Sequence, residues 1–259
     1  MNLVFASGAL FPQNVGPLEY FRTLPEHYPN ALFPNVRGIG SVQQRAQQLA
    51  KEIRERNFPN GPIHIVAHSM GGLDARHFLV KGPKDITTRV ASLSTVATPH
   101  HGSLIADLLA GKLGFFSRVV FGCAFRGLMN TFPSLRQNAL DDLTTDFTAS
   151  FNKEFIDVPT VAYYSYAGSD NTSLLLTPTH KFIAKRGATP QERSNDGLVA
   201  VASATWTGGL AEHPWPADHF GVVGHNLDTL DLVSGFNHIE AYRRVVERAL
   251  TTPPHVAKP

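Results

Sequence analysis

The run Ile63–His77, IHIVAHSMGGLDARH, admits few backbone shapes. It opens on β-branched and apolar residues, meets Ser69, and continues behind a Gly71-Gly72 pair into helix-forming residues. That order predicts a short buried strand, a sharp turn at Ser69 and a helix. The pattern is Ala67-x-Ser69-x-Gly71, a G-x-S-x-G elbow with alanine in its first slot. A serine at such a turn is held in a strained conformation, so the residues two before and two after it must be small. A helix starting there aims free N–H groups and a positive dipole end at Ser69. Ser69 is therefore a candidate nucleophile, and the N–H of Met70 a candidate oxyanion donor. The competing reading is an incidental serine in a buried strand–turn–helix. The strand before the turn and the glycine-led helix after it weigh against that.

Other segments build a layered pattern around this run. Leu3–Ala6 reads as a buried strand ending at Ser7-Gly8-Ala9-Leu10. A serine on an elbow draws its second oxyanion N–H from the loop after an early strand, which here offers Ala9. An ordinary turn is the alternative. Tyr20-Phe21 and the proline-spaced stretch after it suggest a short helix and a loop, and Ala31–Val36 an edge strand, since Pro34 argues against a central one. Ser41 caps a helix with apolar Val42, Ala46, Leu49, Ala50 and Ile53 at helical spacing, ending near Asn57. Arg89–Val96 and Pro159–Tyr166 read as further strands, and about Ile239–Leu250 as a last helix. Strand–helix alternation implies a mostly parallel sheet with helices on both faces, its chemistry at the carboxyl ends of the strands. Ser69 and the loop Thr98–Ser103 both lie at such ends.

With 259 residues, 42% apolar and 17% charged, the chain suits one large α/β domain spanning 1–259. A net charge of +2, without a Lys/Arg cluster, argues against a nucleic-acid partner. No apolar run approaches the roughly 18–20 residues of a transmembrane segment. Cys123 is the only cysteine, so no intrachain disulfide forms. Met1–Ala6 has no basic region and enters a strand directly; the expectation is that any signal peptide lies outside this chain. That leaves both a cytoplasmic protein and a secreted mature form open. About residues 104–155 form an insertion too long for a simple connection. Leu104, Ile105, Leu108 and Leu109, then Phe115, Phe116, Val119, Val120 and Phe121, repeat at helical spacing. Gly111, Gly114, Gly122 and Gly127 interrupt them. We read a helical cap or lid over Ser69; the alternative is that these stripes complete the core.

A serine hydroxyl needs a base, and the base a third group to hold its tautomer. On an elbow of this type the chain order is serine, acid, histidine. Asp196, in an Asn-Asp-Gly turn, is the first choice of acid, with Asp170 as its rival. Of His213, His219, His225 and His238, His219 is preferred because its loop runs into an apolar segment; His225 is next. His68, His100 and His101 read as structural or loop-shaping.

Three motifs together, IHIVAHSMGGLDAR at 63–76, TPHHGS at 98–103 and NDGLV at 195–199, resemble the bacterial true-lipase family of Pseudomonas and Burkholderia type within the α/β-hydrolases. Gly40-Ser41-Val42 with Arg45-Ala46 resembles the helix before that family's elbow, and the likeness spans roughly residues 1–250. It implies an α/β-hydrolase fold, Ser69 as nucleophile, Asp196 as acid, His219 as base, and the Ala9 and Met70 N–H groups as oxyanion hole. It implies an ester or lipid substrate, transient contact with a lipid interface, and no cofactor. The chain departs from the family at three places: Ser7-Gly8 stands for His-Gly, Ala67 for the elbow's first glycine, and Gly221 for the calcium-binding aspartate two residues after the histidine. No metal site is therefore expected.

Overall fold

The structure is a computed structural model, described here for residues 1–9, 14–15, 18–111, 139–170, 173–228 and 233–251. Strand β1 (Asn2–Ala6) leads to a small hairpin, β2 (Asn14–Val15) with β3 (Leu18–Glu19), and a single helical turn, α1 (Leu24–His27). Then come α2 (Val42–Arg56), β4 (Ile63–His68), α3 (Met70–Lys81), α4 (Lys84–Thr87) and β5 (Val90–Val96). The chain continues through α5 (Leu104–Leu109), α6 (Thr145–Glu154), β6 (Ala162–Tyr166), α7 (Thr177–Arg186), α8 (Pro190–Arg193), α9 (Val201–Ala204) and α10 (His238–Thr251).

The main sheet has the order β1-β4-β5-β6, with every pairing parallel. Single parallel bridges extend it, Leu32 beside Val4 and Leu210 beside Ser165. The edge strand expected at Ala31–Val36 is thus reduced to Leu32. Pro34, two residues on, lacks the N–H a further rung would need. Strand alternation divides the core. Leu3, Phe5, Val66 and Val96 face one side, against Tyr242, Val245 and Val246 of α10. Val4, Ala6, Ile65, Ala67 and Leu93 face the other, against Ala46, Leu49 and Ile53 of α2 and Ala75, Phe78 and Leu79 of α3. The helix predicted after Ser41 has a full capping box, Ser41 with Gln44, and ends at Asn57 in the left-handed conformation.

Between Gly168 and Ser194 the chain forms α7 and α8. Phe182 and Ile183 of α7 pack on Ile105 and Leu108 of α5, and Thr189 and Glu192 form a second capping box. Of the insertion, residues 112–138, including Phe115–Phe121, Gly114, Gly122, Cys123 and Gly127, lie outside the described residues. Its flanks are anchored: α5 on α7, and Phe151 and Phe155 beside Met70 and Leu73. Among the described residues no helix is long and apolar enough to cross a membrane.

Candidate active site

Ser69 caps α3 with φ 54 and ψ −133, a conformation worth about 1–3 kcal/mol of strain in a residue with a Cβ. Its surroundings leave it no other. Its N–H donates to Val96 O at 2.9 Å, and its carbonyl accepts from Gly72 N–H at 3.1 Å and the Thr98 hydroxyl at 2.8 Å. A Cβ at Gly71 would lie 2.7 Å from the carbonyl oxygens of Ala6 and Ser7, so α3 abuts the end of β1 only as glycine.

His219 stands between Ser69 and Asp196. Its Nε2 is 3.0 Å from Ser69 Oγ and its Nδ1 is 2.8 Å from Asp196 Oδ2. The other carboxylate oxygen of Asp196 accepts from Leu198 N–H at 2.9 Å and Val199 N–H at 2.7 Å. The His219 N–H donates to the Asp196 carbonyl at 2.9 Å, so the two residues are tied at main chain and side chain alike. All three residues are buried. The Asn-Asp-Gly turn is closed by Asn195 Oδ1 accepting from Gly197 N–H at 2.9 Å, with Gly197 at φ 93. Asp170, the rival acid, is exposed. The rival histidines serve the backbone elsewhere: His225 Nε2 donates to Glu19 O at 2.8 Å, and His238 Nε2 to Arg22 O at 2.7 Å.

The loop after β1 comes close to the serine. A Cβ at Gly8 would stand 2.7 Å from Ser69 Cβ and 2.6 Å from the Tyr20 hydroxyl. The side chains of Ala9 and Met70 belong to one apolar cluster. Among the described residues, neither of their N–H groups is engaged by a protein acceptor. Such an arrangement can take the serine proton and hold a negative oxygen.

Two buried histidines flank the elbow. The Tyr20 hydroxyl, which accepts from Gly8 N–H at 2.9 Å, donates to His68 Nδ1 at 2.7 Å. Burial, then the neighbouring His219, pushes His68 well below the ordinary imidazole range, so it is neutral beside the His219 ring 4.8 Å away. His100 is pushed down likewise, by burial and then Arg76. It lies 3.0 Å from Thr95 Oγ1 and stacks on Trp206, which the Arg76 guanidinium covers from 3.7 Å. Sequence reasoning misses Arg45, Tyr20 and Arg76 as site residues. Each is held by partners far along the chain, which no local pattern reveals.

The family's calcium site does not fit these residues. Asp218 Oδ1 accepts from Phe220 N–H at 3.0 Å and Gly221 N–H at 2.7 Å, and Asp228 accepts from Leu174 and Leu175 N–H. Among the described residues no three His, Cys, Asp or Glu side chains cluster as metal ligands would.

No family model matches the chain. It is 28% identical over 249 residues to a triacylglycerol lipase of Pseudomonas fragi, covering 82% of this chain and 83% of the relative. It is 26% identical over 267 residues to a triacylglycerol lipase of Vibrio cholerae, covering 90% and 84%. In fold it is similar to a metagenomic carboxyl esterase, with TM-score 0.68 and 23% identity over 96% of this chain and 76% of that one. Sequence and fold agree: the chain has an α/β-hydrolase fold and is similar to lipases and esterases, which makes it a carboxylic ester hydrolase.

Proposed function

We propose that this hydrolase is a triacylglycerol lipase working through an acyl-enzyme. The observation that carries the mechanism is the continuous hydrogen-bonded line from Ser69 Oγ through His219 to Asp196, at 3.0 and 2.8 Å. Ser69 Oγ attacks the ester carbonyl as its proton passes to His219 Nε2. The Ala9 and Met70 N–H groups hold the oxyanion, each worth about 3–4 kcal/mol where such a donor has been removed. The imidazolium is stabilised by Asp196 and then protonates the leaving alcohol. Water, deprotonated by His219, attacks the acyl carbonyl and frees the acid and Ser69. Every proton in this cycle is carried by His219 or water.

The acylglycerol reading is supported by the Pseudomonas and Vibrio relatives, both triacylglycerol lipases. It entails a lipid ester substrate and passing contact with a lipid interface. The test is a chain-length series of p-nitrophenyl esters and triacylglycerols, run below and above substrate solubility. Preference for emulsified long-chain glycerides is expected. Turnover confined to soluble short-chain esters would make the protein a short-chain carboxylesterase; turnover of polyester films would make it a depolymerase. Absence of any ester turnover would leave a hydrolase-fold binding protein.

A further inference from the structure

The peptide unit joining Ser7 to Gly8 is gripped at both ends. Its carbonyl oxygen accepts from Arg45 Nη2 at 2.8 Å, and its N–H donates to the Tyr20 hydroxyl at 2.9 Å. Each grip continues to the elbow. Arg45 Nε and Nη2 reach Asp74 Oδ2 at 2.9 and 2.8 Å, one turn into α3. The Tyr20 hydroxyl donates to Nδ1 of His68, the residue before Ser69. Arg45 is 1% exposed and Tyr20 9%, so neither bond competes with bulk water.

We propose that Arg45 and Tyr20 are positioning residues that lock the Ser7–Gly8 peptide plane, so that the following N–H, that of Ala9, stays directed at Ser69. This rests on the proposed roles of Ser69, Ala9 and Met70. The plane needs a lock because Gly8 has no Cβ to restrict it, and the close approach to Ser69 allows no other residue there. Turned over, the plane would aim a carbonyl oxygen where its N–H now points. The backbone of Gly8 would shift with it, and the Ala9 N–H would leave its direction. Because Gly8 N–H is spent on Tyr20, it cannot replace Ala9 as donor. A tyrosine hydroxyl can serve both neighbours at once, since one lone pair takes the Gly8 N–H and its single proton goes to His68. Burial pushes the phenol up, so that proton stays in place at working pH. The segment carrying Tyr20 is braced in turn by His225, whose Nε2 lies 2.8 Å from Glu19 O and 3.2 Å from Tyr20 O. The lock thus joins β1, α2, β4, α3 and the loop after His219.

The test compares Tyr20→Phe with Arg45→Lys. The first deletes one oxygen; the second keeps the charge beside Asp74 but loses the planar fork. Active sites are titrated by the burst of a p-nitrophenyl ester, so that misfolded protein is not counted. In Tyr20→Phe, kcat per titrated site is expected to fall about ten- to hundredfold while KM stays within about twofold, since an oxyanion contact acts in the transition state. The Kd of phenylboronic acid, which forms a tetrahedral anionic adduct on Ser69 Oγ, should weaken by the same factor. Arg45→Lys should show the same split. A kcat per site within about twofold of wild type, or a fall in kcat without weaker boronate binding, would show a merely structural brace and overturn the proposal. Ser69→Ala separates the layers. If it retains turnover, the underlying mechanism fails; if it is inactive while Tyr20→Phe is normal, only the lock fails.

Discussion

The two sides of Ser69 are built by different means. On the proposed acid–base side, each carboxylate turn is held by its own neighbours. Asp196 is held by the N–H groups of Leu198 and Val199, two and three residues away, and Asp218 by those of Phe220 and Gly221. On the oxyanion side, shape comes from afar: Gly8 is held by Tyr20, and Ser7 by Arg45, 38 positions along the chain. Turns made from their own residues tolerate change elsewhere. A loop with a freely rotating glycine depends on side chains delivered by the rest of the fold.

The largest expected effects lie where the two sides meet. Ser69→Ala and His219→Ala should each lower kcat by about 10⁴-fold or more, and Asp196→Asn by about 10⁴-fold, because triad members act as a unit. His225→Ala and His238→Ala, which donate to main-chain carbonyls of Glu19 and Arg22, should lose far less, as should Asp170→Asn. Steady-state kinetics on p-nitrophenyl butyrate, with the melting temperature as a fold control, measure all six. An active His219→Ala beside a dead His225→Ala would reassign the base.

Next in size is Gly8→Ala. Its new methyl would lie 2.7 Å from Ser69 Cβ and 2.6 Å from the Tyr20 hydroxyl, and Ser69 Cβ cannot yield without moving the nucleophile. About a hundredfold loss of kcat is expected, the scale of losing one oxyanion donor. Ala67→Gly, on the elbow side, restores the residue this turn more freely accepts and should change kcat little. If the two substitutions cost the same, the contrast between the sides is wrong.

This contrast also explains what can be read from the sequence. The elbow, the parallel strands and the Asn-Asp-Gly turn are coded by neighbours, so the grouping of Ser69, His219 and Asp196 into one proposed site is legible from spacing and chain order. Helix α7 is not, because Phe182 and Ile183 gain their apolar partners only from α5. Nor is the true extent of the edge strand at Leu32, where β1 supplies one bridge and Pro34 forbids more. Arg45 reads as a solvated residue on an amphipathic helix; only the fold brings Ser7, Arg37 and Asp74 around its guanidinium.

A smaller effect comes from the neutral histidines beneath each side. His68 supports the oxyanion loop and His100 the Thr98–Ser103 loop. Burial holds both well below their ordinary value, with His219 and Arg76 adding to the shift. The unfolded chain takes up these protons below about pH 6.5 and the folded one refuses them, so stability falls as pH falls. Each histidine contributes about 1.4 kcal/mol per pH unit in that window. Chemical denaturation at pH 7, 6 and 5 should show the decline, and His100→Gln should make it shallower. A flat profile would mean that the histidines are protonated in place.

The smallest expected effect is that of chelation. A bound calcium ion stabilises a fold by RT ln(1 + c/Kd), where c is the free calcium concentration, so stripping it lowers the melting temperature. Calcium asks for six to eight oxygen ligands, and carboxylates must be free to supply them. The loop carrying His219 instead uses the Asp218 carboxylate to hold its own amides, and the position two residues after His219 is Gly221. Asp228 is committed to the N–H groups of Leu174 and Leu175. The base loop is therefore kept in shape by protein donors, as Asp196 is. Excess EDTA should move the melting temperature by less than about 1 °C and leave kcat unchanged, because these carboxylates are already spent on protein N–H groups. A large drop restored by added calcium would show that the carboxylate turns of the acid–base side need an ion as well as their own amides, and the contrast between the two sides would collapse.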